Sequence, residues 1–505
     1  DIDVDFAWDE RDALLEKVMA RYGEARSARV CNHVSFQSRA ALRETARAFG
    51  MPDSEISARE KSGGDISAWH TGGAEHSSSA ARAPAMAHAP RANDPWANDP
   101  WANDPWAKIH KLSAGLIGLP RHLGVHSGGV ILVPEEIEKL VPIERSGSGI
   151  RICSWDKDGV EAAGLVKIDL LGNRSLAVVR DALANAKDNG AGIDEQNWQP
   201  ADDPETIALL AAGDSMGVFY VESPAMRLLQ KKTGRGDFEH IVIHSSIIRP
   251  AANRYINEYI ERLKGKPYKA LHPALGSILD ESCGIMCYQD DVCKVAVAAA
   301  GFSSGEADAV RKALSKRDAK ERLPAFEKRF RDGAAARGLD EKTITDLWDM
   351  ICSFSGYSFV KAHSASYAML SFQSAWLRRH RPAEFMAAVI SNRGGYYSTL
   401  AYTSEARRMG LRILPPDVNK SVLACRGRGK SLRFGLGMIA SLEKSTAEAI
   451  LKARASKGPF KSLDDFALRV KTDRTEAEAL VGSGAMDELP GAPAIAAALQ
   501  APPQS

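Results

Sequence analysis

Polar and apolar residues alternate strictly at the start of the chain. Residues 1–6 carry a carboxylate at every odd position and an apolar side chain at every even one: Asp1, Ile2, Asp3, Val4, Asp5 and Phe6. Successive side chains of a β-strand point to opposite faces, so this period of two predicts a strand. Its three carboxylates are expected on one face.

A helical period follows the first strand. Apolar residues three and four apart predict a helix from about Asp9 to Tyr22, and Gly23 is the expected C-terminal stop. A second helix is predicted over 40–49, with Ser38 as a candidate N-cap.

Residues 54–107 lack a periodic apolar pattern. The five residues Asn93 to Ala97 occur twice more, up to Ala107. A five-residue period with a proline in each unit suits neither helix nor strand, and it indicates a low-complexity repeat. Two interpretations remain open, a Trp-bearing binding segment and an expanded repeat in a loop that accepts insertions.

Strand signals return in the middle of the chain. Gly128-Gly129 predicts a turn before a strand at 130–133, and residues 164–171 predict a buried strand that contains Asp169. Beyond Arg174 the pattern is mostly helical. The predicted fold class is therefore α+β, with a smaller helical unit at the C-terminal end.

Composition sets the broad class. A chain of 505 residues is too long for one core, so several domains are expected. Seven cysteines do not make a disulfide scaffold, no secretory signal is visible, and no run of about 18 apolar residues predicts a membrane span. A cytoplasmic protein without membrane contact is expected. The formal net charge of +2 implies that any DNA contact uses local basic patches.

The first strand and the buried Asp169 are candidates for metal chemistry. Carboxylates in a row repel one another unless a cation lies over them, and Mg²⁺ prefers carboxylate and phosphate oxygens. If the two strands are neighbours, Asp3, Asp5 and Asp169 would bracket a two-metal site for phosphoryl transfer. Alternatively, Asp1 to Asp5 form a solvated strand face, and Asp169 is paired with Lys167 or Arg174.

Basic residues further along suggest an anion site. Helical spacing places Lys312 and Lys316 on one face, with Arg311 adjacent. Lys361 and His363 precede a helix expected to begin near Ser364, and its N-terminus favours an anion such as a triphosphate. The alternative for the first group is a charged, solvated helix face.

Several segments together resemble the C-family bacterial DNA polymerases, which comprise the polymerase III alpha subunit and its error-prone paralogues. The ordered matches are Asp1–Phe6, Leu119–Val130, Val166–Gly172, Gly217–Ser223, Arg249-Pro250, Tyr288-Gln289, Gly301–Lys316 and Phe354–Phe385. These matches follow one another in the family's order along nearly the whole chain, apart from 54–107. Residues 433–487 resemble the helix-hairpin-helix region of the family.

The resemblance implies a nucleotidyltransferase palm, a thumb and fingers. It implies palm at 1–34, thumb at 35–115, palm again at 116–175, fingers at 176–414 and a helix-hairpin-helix region at 415–505. Because Asp1 already lies within a strand pattern and no Met precedes it, we expect a truncated N-terminus and an incomplete palm sheet. The chain would then be a central fragment of the polymerase.

The resemblance also implies the site and its ligands. Asp3, Asp5 and Asp169 would be the catalytic ligands of two Mg²⁺ ions. The nucleotide-binding candidates are Lys167, Arg311, Lys312, Lys316, Lys361 and His363. The expected partners are primer-template DNA, deoxynucleoside triphosphates and, in a full-length protein, a sliding clamp and other replication or repair subunits. The alternatives are an inactive or truncated relative that only binds DNA, and a two-metal nuclease.

The sequence departs from the family pattern at some positions. Tyr220 stands where the family's GVFQxES block has Gln. The first hairpin, 440–444, has no glycine, and Glu443 would repel phosphate, so we expect weak DNA contact there. Cys283, Cys287 and Cys293 lack the spacing of a zinc site and are expected to be buried thiols.

Overall fold

The structure is a computed structural model, and it describes residues 2–61, 105–249, 252–315, 319–354 and 360–490. The chain divides into two compact units. The first unit comprises residues 1–6 and 10–172, and the second comprises residues 7–9 and 173–505. The fold is mixed α+β and mostly helical, as the sequence predicts. No helix in these described ranges is long and apolar enough to cross a membrane.

A six-stranded sheet organises the first unit. Its strands are β1 Ile2–Ala7, β2 Ser27–Ser35, β3 Pro120–Leu132, β4 Ile143–Arg145, β5 Arg151–Cys153 and β6 Lys167–Asn173. Their order across the sheet is β1-β6-β3-β2-β5-β4. Strand β3 runs antiparallel to both β2 and β6, and β2 runs parallel to β5. The predicted strands at the chain start and around Asp169 are both present, and they are neighbours.

In the described part of this unit, the α-helices beside the sheet are α1 Arg11–Tyr22, α2 Ser38–Ala48, α3 Asp53–Lys61, α4 Pro105–Leu116 and α5 Lys157–Ala162. Helix α1 ends as predicted, because Gly23 has φ 75° and its N–H donates to the carbonyl of Met19. The N-cap of α2 is Gln37, and Ser38 already belongs to the helix. The predicted N-cap at Ser38 is therefore wrong by one residue.

The predicted turn at Gly128-Gly129 is also wrong, because both glycines lie inside β3. Gly129 pairs with Asp169 in the antiparallel register between β3 and β6. A Cβ atom at Gly128 would lie 2.7 Å from the carbonyl oxygen of Leu170, closer than such contacts allow. The glycines permit a close approach of β6 to β3 rather than a change of chain direction.

The predicted low-complexity segment lies mostly outside the described residues. Its two ends are helical, contrary to the expectation that the proline repeat suits neither helix nor strand. Pro105 of the last repeat begins α4, where proline needs no N–H partner. Ile56 of α3 and Ile109 of α4 are both buried in a small core with Leu42 of α2.

The second unit contains the remaining helices and a small sheet. Its α-helices between residues 174 and 408, within the described ranges, are α6 Arg174–Asp188, α7 Pro204–Ala211, α8 Pro224–Thr233, α9 Phe238–Ile247, α10 Asn253–Leu263, α11 Gly276–Leu279, α12 Gln289–Ala300, α13 Ser304–Ser315, α14 Ala319–Ala336, α15 Glu341–Cys352, α16 Lys361–His380, α17 Pro382–Asn392 and α18 Thr399–Arg408. One extensive core joins them, running from Val178 to Leu432. The predicted helical region beyond Arg174 is confirmed.

The C-terminal part forms a separate core within this unit. Strands β7 Arg412–Leu414, β8 Arg426–Arg428 and β9 Ser431–Arg433 precede helices α19 Lys444–Lys457, α20 Leu463–Arg469 and α21 Arg474–Gly482. Buried residues from Val418 to Leu489 pack together there. The hairpin before α19 has no glycine, but Ser441 takes the left-handed conformation with φ 64°. The domain boundaries given above stay predictions.

Candidate active site

The carboxylates predicted as metal ligands lie on the neighbouring strands β1 and β6. Asp3 is exposed and Asp5 is half-buried on β1, while Asp169 is buried on β6. These carboxylates are more than a hundred positions apart in the sequence, and they lie on two adjacent strands in the structure. Asp1 lies outside the described residues.

Asp169 pairs with Lys167, which lies two residues earlier on the same face of β6. The Lys167 Nζ atom is 2.7 Å from Asp169 Oδ2, and both side chains are buried. This ion pair is one of the two roles that the sequence leaves open for Lys167. A buried charge needs such a partner, because an isolated one is strongly disfavoured in a protein interior.

The second carboxylate oxygen of Asp169 has no hydrogen-bond donor among the residues that the structure describes. Asp169 Oδ1 is buried, and the Nδ1 atom of His126 lies 3.6 Å from it. That nitrogen already accepts the N–H groups of Gly128 and Gly129, at 3.2 and 2.8 Å. Because Nδ1 acts as an acceptor, it cannot also donate to Asp169.

Burial lowers the pKa of His126, so its ring is neutral near pH 7. Sequence reasoning missed this residue, although it lies within the segment 119–130. The available signal was the spacing His-Ser-Gly-Gly, in which glycines leave room for a ring. A Cβ atom at Gly129 would lie 3.0 Å from His126 Nδ1.

The donor set around β1 and β6 suits a hard cation. Carboxylate oxygens are the ligands that Mg²⁺ prefers, and Asp169 Oδ1 is a buried acceptor without a donor. The ligand geometry is not assembled, however. Within the part of the chain that the structure describes, no group of three or more His, Cys, Asp or Glu side chains is arranged to hold a metal.

The basic candidates Arg311 and Lys312 lie on α13 in the second unit. Arg311 contacts Asp308 at 2.7 Å and donates to Gln289 Oε1 at 3.3 Å, and Lys312 Nζ lies 3.5 Å from Asp308. Lys316 lies outside the described residues. Both described cations therefore have acidic partners on their own helix.

The helix that carries Lys361 and His363 begins earlier than expected. Helix α16 starts at Lys361 rather than near Ser364, so both residues lie in its first turn. The backbone N–H of Lys361 donates to Asp290 Oδ2 at 3.0 Å, and its Nζ lies 2.6 Å from Glu281. Carboxylates thus occupy the places predicted for a triphosphate.

Two of the predicted nucleotide-binding residues meet at the start of α12. Arg311 contacts Gln289, and Lys361 contacts the next residue, Asp290. Sequence reasoning placed Tyr288-Gln289 in a matching block but gave these residues no role. Their contacts join segments more than twenty positions apart, so spacing along the chain could not predict them.

Parts of the chain match the models of known protein families. The family model of the bacterial DNA polymerase III alpha NTPase domain matches residues 1–172, and the model of the bacterial DNA polymerase III alpha subunit finger domain matches residues 175–338. A helix-hairpin-helix motif matches residues 410–494. The two polymerase models divide the chain close to the boundary between its compact units.

The chain also aligns with whole proteins of this kind. It is 34% identical over 497 residues to the DNA polymerase III subunit alpha of Thermus aquaticus, covering 96% of this chain and 40% of that protein. It is 31% identical over 519 residues to the error-prone DNA polymerase of Methylococcus capsulatus, covering 97% and 48%. It is 32% identical over 496 residues to the DNA polymerase III subunit alpha of Bacillus subtilis, covering 97% and 43%.

The chain belongs to the C-family of bacterial DNA polymerases. The family resemblance drawn from the sequence motifs is thereby confirmed, as is the helix-hairpin-helix region. The chain spans less than half the length of these curated relatives. The roles of the individual site residues stay predictions.

The cysteines of this C-family chain are all described by the structure, and they differ in burial. All seven are free thiols, and burial raises the pKa of every one of them. Cys287 is fully buried, while Cys283 and Cys293 are half-buried. The expectation of buried thiols holds fully for Cys287 and in part for the other two.

Proposed function

We propose that this chain is the core of a template-directed DNA polymerase. It would transfer deoxynucleotides from their triphosphates to the 3′ end of a primer paired with template DNA. The observation that carries the proposal is the adjacency of β1 and β6, which brings Asp3 and Asp5 to the strand beside Asp169. These strands lie within the segment that matches the polymerase III alpha family.

The sheet of the first unit would then serve as the palm. Asp3, Asp5 and Asp169 would hold Mg²⁺, with Asp169 Oδ1 as the oxygen that lacks a protein donor. Two bound Mg²⁺ ions would supply activation of the primer hydroxyl and neutralisation of the triphosphate charge. Lys167 would hold the Asp169 carboxylate in one orientation within the buried face of β6.

The second unit would supply the fingers and the grip on DNA. Arg311, Lys312, Lys316, Lys361 and His363 are the proposed triphosphate contacts, and they act by positioning and by positive charge. The hairpins before α19 and after α21 would offer backbone N–H groups to DNA phosphates. Ser441 and Gly484 both have positive φ there, as such turns require.

A second candidate is a relative that binds primed DNA without extending it. It is favoured by the carboxylates that hold Lys361 and Arg311 in ion pairs. A two-metal nuclease is a further alternative. All three predict affinity for DNA, so the reaction product must distinguish them.

Primer extension with Mg²⁺ and all four deoxynucleotides separates these candidates. We expect incorporation by the wild type, and a loss of at least about 100-fold in Asp5→Asn and Asp169→Asn, because each change removes a charged ligand. Asp12→Asn, an exposed carboxylate on α1, is the matched control and should keep full activity. DNA binding without incorporation would favour the inactive relative, and release of nucleotides from DNA would favour the nuclease.

A further inference from the structure

The turn at Tyr220 has an unusual backbone for an aromatic residue. The N–H of Val221 donates to the carbonyl of Phe219 at 2.8 Å, which makes a three-residue γ-turn centred on Tyr220. Its φ is 63°, a region that L residues with large side chains rarely adopt. Backbone strain of this kind persists where the surrounding structure enforces it, and it clusters at functional sites.

A buried carboxylate enforces the turn. Glu222 accepts the N–H of Gly217 at 2.8 Å, the N–H of Tyr396 at 2.9 Å and the hydroxyl of Tyr402 at 2.8 Å. Ser215 also donates from its hydroxyl to the carbonyl of Val221 at 2.7 Å. The residues flanking Tyr220 are therefore fixed from several directions.

The turn presents the Tyr220 ring to the first turns of α16. Its centroid lies 5.1 Å from that of Tyr367, at an interplanar angle of 83°, an edge-to-face contact. Tyr367 lies one helical turn after His363, and these two rings are 4.0 Å apart. Phe219 also contacts Tyr367, at 4.9 Å. The result is a continuous row of rings from Tyr220 to His363.

We propose that Tyr220 is a positioning residue for nucleotide binding. It holds Tyr367, and Tyr367 in turn holds the imidazole of His363 in one orientation beside Lys361. This inference rests on the proposed function, in which His363 contacts the deoxynucleoside triphosphate. An imidazole ring that is fixed before the nucleotide arrives loses no rotational freedom on binding. Its fixed orientation therefore strengthens the binding of the nucleotide and leaves the rate of the chemical step unchanged.

The family's GVFQxES block has Gln at the position of Tyr220. Tyr220→Gln therefore restores the family residue and removes the ring. In Tyr220→Gln, the row of rings loses its first member, whereas Tyr220→Phe keeps the ring and removes only the hydroxyl. We expect Tyr220→Gln to raise KM for deoxynucleoside triphosphates about 3- to 10-fold, the effect of one lost aromatic contact. We expect kcat to stay within about twofold, and Tyr220→Phe to behave as the wild type.

Tyr22→Gln provides the matched control, because it makes the same change at an exposed ring at the end of α1, outside this hydrogen-bond network. Melting temperatures of all variants are measured alongside the kinetics. An unchanged KM in Tyr220→Gln overturns the inference, and so does a parallel loss of kcat and melting temperature, which indicates a structural role only. A wild type that incorporates no nucleotide overturns the proposed function and this inference together.

Discussion

Glu281 and Asp290 hold the cation and the amide that a triphosphate would contact at the start of α16. The Lys361 Nζ atom is 2.6 Å from Glu281, and the Lys361 N–H is 3.0 Å from Asp290. Nucleotide binding would therefore exchange protein carboxylates for phosphate oxygens. Such an exchange makes the affinity depend on how strongly the carboxylates compete.

Removal of one competitor should strengthen nucleotide binding. In Glu281→Gln we expect KM for deoxynucleoside triphosphates to fall about 2- to 5-fold, because an exposed ion pair is worth about 0.5–1 kcal/mol. Glu261→Gln, which breaks the exposed pair with Lys266, is the control and should leave KM unchanged. A higher KM in Glu281→Gln would mean that Glu281 supports the site rather than competes for it.

The buried His244 makes the stability of the fold depend on pH. Its side chain is fully buried, neither ring nitrogen has a hydrogen-bond partner in the described part of the chain, and burial lowers its pKa from 6.5 to about 3. Below pH 6.5 the unfolded chain therefore takes up a proton that the folded chain does not. The folded state loses stability as the pH falls from about 6.5 towards 3, and it loses none above that window.

Replacement of His244 should remove this pH dependence. Between pH 8 and pH 5.5, the free energy of unfolding of the wild type should fall by about 1.4 kcal/mol more than that of His244→Phe. Urea unfolding at both pH values measures the difference. His122→Phe changes an exposed histidine and should keep the slope of the wild type. Equal slopes for wild type and His244→Phe would contradict the prediction.

At the scale of single elements, the hairpin before α19 departs most from the sequence-based expectation. It contains no glycine, yet Ser441 adopts the left-handed conformation that glycine usually provides. The backbone thus forms the turn without glycine, and the conformational strain falls on Ser441. The expected weakness of DNA contact then depends on the charge of Glu443 and on this strain, not on a missing turn.

Ser441→Gly should therefore stabilise the protein by about 0.5–1 kcal/mol, since it relieves a left-handed conformation. Ser456→Gly, near the end of α19, makes the same change in a helical backbone and should destabilise by about 0.5 kcal/mol. Chemical denaturation measures both. Opposite signs support the strained turn, and equal losses would show that Ser441 makes a compensating contact.

The sequence predicts a helix or strand well where the spacing of its apolar residues fits only one of the two. The alternation in 1–6 and the apolar stripe of α1 define their elements without tertiary information. The prediction at Gly128-Gly129 is wrong because a glycine pair is compatible both with a turn and with close packing of two strands. Only the pairing of β3 with β6 distinguishes these two possibilities. His126 and Asp290 take their roles from partners brought close by folding, so spacing along the chain does not identify them.

At the scale of the whole molecule, the segment 62–104 separates two helices that meet in one core. Ile56 of α3 and Ile109 of α4 are both fully buried there, so the two helices pack against the same small core. The interpretation of the repeat as a tolerated insertion predicts that the fold does not depend on its sequence.

Replacement of 62–104 by a Gly/Ser linker of about a dozen residues tests that interpretation. We expect the free energy of unfolding to change by no more than about 1 kcal/mol, because loop closure depends only weakly on length. Primer extension should also be retained. A control with Ile109→Ala, which opens the small core, should cost about 2–4 kcal/mol. A comparable loss on linker replacement would instead assign a packing role to the repeat.

The raised pKa of all seven thiols has a practical consequence for labelling chemistry. Thiolates react with maleimides and thiols scarcely do, and a raised pKa leaves few thiolates near neutral pH. A single cysteine introduced at an exposed position should therefore react far faster than any native one. Fluorophores could be attached one at a time to the folded wild-type background, without first removing its own cysteines.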